Sequence, residues 1–141
     1  MIIRLILACS VMAVCVTIHA LGLAVALRWL HQAPGANRVL PNLALFIRVA
    51  VWIVILHLLE ILAWALVYLW NDALPDMATA LYFSAVTYTT TGYGDVVLPP
   101  GWRLDGGVEA LTGIIMCGWS TGFFVAVVNR LYQQTEDEAQ R

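Results

Sequence analysis

Charge is scarce in this sequence. Only 11% of its 141 residues are charged, and all seven Lys/Arg positions are arginine, so lysine is absent. Hydrophobic residues make up 62%, and the mean hydropathy is +0.83. This composition excludes an ordinary soluble globular domain. We expect a bilayer as the surrounding medium and no nucleic-acid partner.

Cysteine is also rare. Cys9, Cys15 and Cys117 all lie inside apolar runs, and their spacing predicts neither a disulfide framework nor a metal site. We interpret them as buried small hydrophobes. The sequence lacks a nucleophile–base pair and a phosphate-binding loop, so we expect no enzyme activity and no bound cofactor.

Three long apolar segments dominate the chain. A hydrocarbon core of ~30 Å needs about 20 apolar residues per helix, and residues 2–30, 43–70 and 104–131 meet this requirement. The first segment is longer than a typical signal-peptide core, which favours a retained transmembrane helix. Residues 31–42 then form a short connector.

A shorter segment follows the second span. Pro75 and Asp76 indicate a helix start, and a helix over 76–89 would be ~20 Å long, too short to cross a bilayer. A segment that enters halfway and returns is tolerated only where protein covers it or an aqueous pore lines it. The carboxyl end of such a helix favours a cation.

Residues 87–95 read Thr-Tyr-Thr-Thr-Thr-Gly-Tyr-Gly-Asp. Consecutive backbone carbonyls can replace the water of a potassium ion if an extended backbone alternates between left- and right-handed regions. Gly92 and Gly94 suit that geometry, and Thr90 can add a hydroxyl. The plainer interpretation is a glycine-rich membrane turn. We predict potassium coordination at Thr90, Thr91, Gly92 and Tyr93.

This motif and its neighbours resemble a small prokaryotic potassium channel of the pore-loop cation channel family. The resemblance covers about residues 43–131. It implies two transmembrane helices, a re-entrant pore helix and a filter loop, assembled as a homotetramer around a central pore. The first apolar segment departs from the family as an extra N-terminal helix, so we expect an all-α membrane fold with three transmembrane helices. The predicted parts are an N-terminal helix and connector (1–42), an outer helix (43–70), a pore helix (76–89), the filter (90–94), an inner helix (104–131) and a short, polar cytoplasmic tail (132–141).

The resemblance also assigns support for the filter. It implies that Asp95 hydrogen-bonds Tyr82 in the pore helix and that this pair braces the loop from behind. The Tyr93 side chain should point away from the ion and also brace the loop. Val86 stands where related bacterial channels can carry a glutamate, so a carboxyl–carboxylate pair with Asp95 is not available. Filter inactivation that needs such a pair is therefore in doubt.

The inner helix carries a small or polar stripe with a spacing of four residues. By resemblance this stripe lines the cavity and contains Gly113, Cys117, Thr121, Val125 and Asn129. Val125 and Asn129 would narrow the pore. Gly113 could be a hinge or a packing contact, and for Gly122 we favour packing.

The arginines predict the orientation. Arg28, Arg38, Arg48 and Arg130 fall on one side of the membrane, and Arg4 and Arg103 on the other. The positive-inside rule then places residues 31–42 and the C-terminus in the cytoplasm and the N-terminus outside. We therefore expect a multi-pass protein of the cell membrane. Four aspartates should lie near the outer mouth: Asp72, Asp76, Asp95 and Asp105.

Three alternatives to a selective homotetramer stay open. They are a weakly selective cation channel, a potassium-transporter subunit, and a regulatory subunit that assembles with a larger channel. The intact filter disfavours a weakly selective channel. The presence of a single filter in 141 residues disfavours a potassium-transporter subunit. No helix has arginine at every third position, so no charged voltage sensor is expected.

Four acid–base groups lie deep in the spans: His19, His57, Glu60 and Glu109. His19 and His57 should both be ~13 Å from the inner boundary, and Glu60 lies one helical turn from His57. Each could simply bond a nearby backbone carbonyl or hydroxyl. Alternatively, His19, His57 and Glu60 join the first helix to the second, in a cluster that could respond to pH.

Overall fold

The computed structural model describes residues 2–31 and 39–139, with side chains described for 2–31 and 43–130. Helices account for most of these residues, and no strand occurs among them. In chain order the α-helices are α1 (Ile2–His31), α2 (Val39–Trp70), α3 (Met77–Tyr88) and α4 (Arg103–Ala139). A short 3-10 helix, Pro100–Trp102, leads into α4.

Within the part of the chain that the structure describes, three helices are long and apolar enough to cross a membrane. They cover Ile2–His31, Leu43–Trp70 and Pro100–Arg130. The remaining α-helix, α3, has 12 residues and is too short to span a hydrocarbon core of ~30 Å. The predicted all-α membrane fold with three spans is confirmed.

Two helix boundaries differ from the prediction. Helix α2 already begins at Val39, so Pro41 falls in its first turn, where a missing N–H costs no helical hydrogen bond. Helix α4 continues to Ala139 instead of ending at 131, because its last residues are mostly good helix formers. Residues 32–38 of the predicted connector, including Arg38, lie outside the described residues.

The helices pack into one bundle. Helix α1 lies against α2 and α4, and α3 lies between α2 and α4. Trp64, Tyr68, Tyr88 and Met116 are fully buried at the centre. The ring of Tyr68 meets that of Phe83 edge-on at 5.5 Å, a geometry that adds to the burial energy of aromatic pairs. This core fixes α3 against both neighbouring spans.

Arginine side chains gather at the two ends of the bundle. At one end the guanidinium of Arg4 lies 4.7 Å from the centre of the Trp102 ring. At the other, Arg48 lies 3.8 Å from the centre of the Trp29 ring, and Arg130 donates to His31 at 3.2 Å. Both contacts with tryptophan are cation–π pairs. The predicted separation of these arginines into two groups is therefore present in the fold.

Candidate functional site

The start of α3 is fixed by Asp76. Its side chain accepts hydrogen bonds from the backbone N–H and the hydroxyl of Thr79, both at 2.9 Å. Such a cap satisfies a helix N–H group that has no partner within the helix. These bonds lower the pKa of Asp76 below its ordinary value. The helix start predicted from Pro75 and Asp76 is confirmed.

The loop after α3 begins on the last turn of that helix. The Val86 carbonyl accepts from the amides of Thr91 at 2.9 Å and Gly92 at 3.2 Å. The Thr90 amide donates to the Thr87 carbonyl at 2.9 Å. Three successive N–H groups therefore point back into α3. Since they are satisfied there, the loop carbonyls are not needed to pair with them.

The backbone of this loop alternates in handedness. Positive φ values occur at Thr90 (59°), Gly92 (55°) and Gly94 (77°), which are every second residue. Glycine adopts this region without steric cost. For a β-branched residue such as Thr90 it is strained, and strain of this kind concentrates at functional sites. The alternation expected from Gly92 and Gly94 is present, whereas the left-handed Thr90 was not foreseen.

All residues from Thr89 to Asp95 are exposed on the surface of the single chain. The side chain of Tyr93 is 73% exposed. A brace for the loop through Tyr93, as expected from the sequence, would therefore have to involve another chain. One chain presents only one wall of any ion-binding ring.

Asp95 is held from behind the loop. The Tyr82 hydroxyl donates to Asp95 Oδ2 at 2.6 Å, and the Val96 amide donates to Oδ1 at 3.1 Å. This is the pair that the resemblance implied. A cavity of about 110 Å³ lies beside it, between the loop and α3, and Val86 contributes to its wall. The hydroxyl of Tyr82 stabilises the charged carboxylate and lowers the pKa of Asp95.

We expect Tyr82→Phe to raise the pKa of the Asp95 carboxyl towards its ordinary value. The wild-type hydrogen bond favours the charged form. Its stabilising effect is therefore complete above the ordinary carboxyl pKa and is lost as the pH falls through the lowered one. The measurement is the pH dependence of the Asp95 carboxyl carbon resonance in wild type and Tyr82→Phe. Asp76 is the internal control, because its pKa is lowered by Thr79 and should not move. An unchanged Asp95 titration would contradict the assigned bond.

The predicted stripe on α4 is mostly exposed in the single chain. Cys117, Thr121, Val125 and Asn129 all lie on the surface. Gly113 does not, so its predicted cavity-lining role is wrong. It is buried against the last residue of α3, where an added Cβ would overlap the Tyr88 carbonyl group and lie 3.2 Å from the Tyr88 Cα. Gly113 allows a close approach of helices, which favours packing over a hinge at this position.

The predicted contact of His19, His57 and Glu60 is present, and two further side chains complete it. His19 Nδ1 lies 2.9 Å from Glu60 Oε1, and Tyr88 donates to Glu60 Oε2. His57 Nδ1 lies 2.9 Å from the Tyr88 hydroxyl. Ser120 Oγ lies 3.1 Å from Nε2 of both His19 and His57. The cluster therefore connects all four α-helices.

Sequence reasoning missed Tyr88 and Ser120 as members of this cluster. A signal was available for Ser120, since a hydroxyl within an apolar span needs a partner. Membership of Tyr88 in the cluster was harder to predict, because tyrosine is common in membrane helices near the headgroups. The alternative of separate bonds to nearby backbone groups is not what the structure has.

The ligand atoms of His19, His57 and Glu60 lie within 4.8 Å of one another, a set that could hold a metal ion. However, both nitrogens of each histidine and both oxygens of Glu60 already have partners within the chain. A bound metal would have to break several of these bonds. The arrangement is better described as a hydrogen-bonded cluster.

A second buried carboxyl lies elsewhere in the bundle. The Tyr68 hydroxyl donates to Glu109 Oε2 at 2.9 Å, and both side chains are fully buried. Glu109 Oε1 and Ser84 Oγ have no hydrogen-bond partner among the described residues. Glu109 thus resembles Glu60 in accepting from a tyrosine, but it lacks the histidine partners.

Three apolar spans, a short helix packed between two of them and an exposed loop of alternating handedness define a multi-pass membrane protein of the pore-loop type. A family model described as ion channel matches residues 54–130, which is more than half of the chain. The chain belongs to this ion channel family. Helix α1 lies outside the matched residues. No curated protein and no solved structure matches the chain.

Proposed function

We propose that this chain is one subunit of a potassium-selective channel in which four copies surround a central pore. The observation that carries the proposal is the positive φ at Thr90, Gly92 and Gly94, at alternate positions of a Thr-Thr-Gly-Tyr-Gly sequence. Such a backbone can turn successive carbonyls towards one axis. Carbonyl rings of this kind replace the hydration shell of potassium. Conduction would be passive, without an enzymatic step.

The exposure of the loop supports assembly into a homotetramer. Residues 89–95 lie open on one chain, and the amides of Thr91 and Gly92 are fixed to Val86 on the opposite side. Four copies with cyclic symmetry would close the ring and cover these residues. In this assembly the domain limits would be those predicted from the sequence, with residues 43–131 forming the pore.

We place the filter loop on the outside of the cell membrane. The basic groups of Arg28, Arg48 and Arg130 belong to the opposite end of the bundle, and the positive-inside rule assigns that end to the cytoplasm. The N-terminus would then be outside and the C-terminus inside. Asp76 and Asp95 would raise the local concentration of cations at the outer mouth.

The exposed residues of α4 would line the inner cavity. We expect a charged thiol reagent applied from the cytoplasm to reach Cys117 in open channels, and to reach Thr121→Cys as well. Cys15 is the matched control, because it is fully buried between helices and should not react. Block of conduction would report the reaction. No reaction at either α4 position in conducting channels would contradict the proposed cavity.

Purified protein in liposomes tests the proposed function. Rubidium, which substitutes for potassium in flux assays, should enter the vesicles, and barium should block this uptake. Cross-linking of the same sample should yield species up to a tetramer. Absence of flux from a tetramer that is intact by cross-linking would favour the regulatory-subunit alternative.

A further inference from the structure

The buried cluster at the junction of the four α-helices is a closed ring of hydrogen bonds. Going round the ring, Glu60 contacts His19, His19 contacts Ser120, Ser120 contacts His57, His57 contacts Tyr88, and Tyr88 returns to Glu60. Each of the five groups therefore has two partners within the ring. Glu60 and His19 are both fully buried.

A count of protons shows what this ring requires. Each of its five hydrogen bonds needs one proton. The hydroxyls of Tyr88 and Ser120 supply one each, and neutral His19 and His57 supply one each. With Glu60 ionised, that makes four protons for five bonds. The ring is complete only when it holds one further proton.

The directions of the bonds locate this proton. If Tyr88 donates to Glu60, then His57 Nδ1–H donates to Tyr88, Ser120 donates to His57 Nε2, and His19 Nε2–H donates to Ser120. The remaining contact, 2.9 Å between His19 Nδ1 and Glu60 Oε1, then needs the fifth proton. Without it, a nitrogen lone pair would face a carboxylate oxygen.

We infer that this ring is a binding site for one proton, and that the bound proton joins His19 of α1 to Glu60 of α2, which in turn holds Tyr88 at the end of α3 next to the filter loop. With the proton in place the ring has no net charge, whether the proton is on Glu60 or on His19. Without it, a negative charge is left buried at the centre of the bundle, where uncompensated charges are expensive. The site therefore favours the proton-bound form.

The ring is connected directly to the filter loop. Tyr88 is the last residue of α3, two positions before the strained Thr90. Glu60 and His57 of α2 hold the Tyr88 side chain directly, and His19 of α1 and Ser120 of α4 hold those two residues in turn, so the ring fixes the point where the loop begins. Loss of the proton should loosen this point and lower conduction. This step rests on the proposed function, whereas proton binding itself does not.

The other titratable groups near the ring are cysteines. Among the described residues, Cys15 of α1 and Cys117 of α4 are close enough to interact electrostatically with Tyr88 and Glu60. Thiols are neutral at physiological pH, so they do not supply the missing proton. The His19–Glu60 contact is the one left without a proton when Glu60 is ionised, so it is the pH-sensitive part of the ring.

Glu60→Gln gives the sharpest test. The amide of glutamine can donate to His19 Nδ1 and accept from Tyr88, so it completes the ring without an ionisable carboxyl. Thermal unfolding of the assembled protein would be followed by tryptophan fluorescence from pH 6 to pH 9. Wild type should lose roughly 5 °C or more in melting temperature over this range, while Glu60→Gln should lose clearly less. Rubidium uptake into liposomes should likewise fall with rising pH for wild type and change less for Glu60→Gln.

Two further variants complete the design. Glu109→Gln is the matched control, because Glu109 is another buried carboxyl that accepts from a tyrosine, Tyr68, but has no place in the ring. Its melting temperature should still fall as the pH rises, because the ring is intact in this variant. Ser120→Ala interrupts the ring between the two imidazoles and should melt lower at pH 6, with a smaller change up to pH 9.

A wild-type melting temperature that is the same from pH 6 to pH 9 would overturn the proton site, and so would a Glu60→Gln curve parallel to that of wild type. If Glu60→Gln does not fold, the wild-type and Ser120→Ala curves decide the question by themselves. A protein that melts as expected but passes no ion at any pH would refute the proposed function and leave the proton site standing. A protein that conducts ions but whose melting temperature does not change with pH would refute the proton site and leave the proposed function standing.

Discussion

Replacing Gly92 or Gly94 with alanine should abolish selective conduction. Both glycines have positive φ, at 55° and 77°, and a Cβ in this region costs about 1–2 kcal/mol. In the proposed tetramer the cost applies to four chains, so the conducting conformation should become about a thousandfold rarer or more, since each 1.4 kcal/mol is a factor of ten. The measurement is rubidium uptake into liposomes, together with the selectivity of any residual current.

The control for this prediction separates backbone conformation from crowding. An added Cβ meets no atom within 4 Å in the single chain at Gly92, at Gly94 or at Gly107. Gly107 lies within α4 and lacks a positive φ. Gly107→Ala should therefore keep both flux and selectivity, and alanine should favour its helix. Equal damage from all three substitutions would show that the backbone conformation of the loop is not the cause.

The second large effect is expected at Gly113. An alanine Cβ here would overlap the carbonyl group of Tyr88, with the carbonyl carbon at 2.8 Å. Backbone atoms cannot move aside as the tip of a side chain can, so the cost should reach about 3 kcal/mol or more, the upper end for overpacking. We expect Gly113→Ala to lower the melting temperature of the protein strongly and to displace Tyr88, and with it the start of the loop that follows α3.

Gly118→Ala is the matched control in the same helix. An added Cβ at Gly118 has no atom within 4 Å in the single chain, so this substitution should leave the melting temperature of the protein close to that of wild type. A harmless Gly113→Ala would contradict the close packing of α4 on α3. Strong destabilisation by both variants would point instead to contacts of α4 with a neighbouring subunit.

Much of the fold follows from hydrophobic length and helix signals. Runs of more than 20 apolar residues predict the three spans, and the Pro75–Asp76 pair predicts the start of α3. The glycines at 92 and 94 predict the positive φ values of the loop. These features are local, because each depends on residues close together in the chain. They could therefore be predicted without a structure.

Features that depend on contacts between helices could not be predicted in full. The rotation of α4 about its axis decides that Gly113 is buried while Cys117 is exposed, and a spacing of four residues does not determine that rotation. Likewise, the depth of His19 and His57 indicates that they could meet, but not that Ser120 would bridge them. The strained φ of Thr90 is imposed by the bonds that hold the loop to α3, and not by threonine itself.

The most direct test of the central claim is the reversal potential of the reconstituted channel with potassium on one side and sodium on the other. If the loop of Thr90, Gly92 and Gly94 coordinates dehydrated potassium, the reversal potential should lie close to the potassium equilibrium potential. Gly92→Ala, if it conducts at all, should move it towards zero. A wild-type reversal potential near zero, which means equal permeability to the two ions, would contradict potassium selectivity.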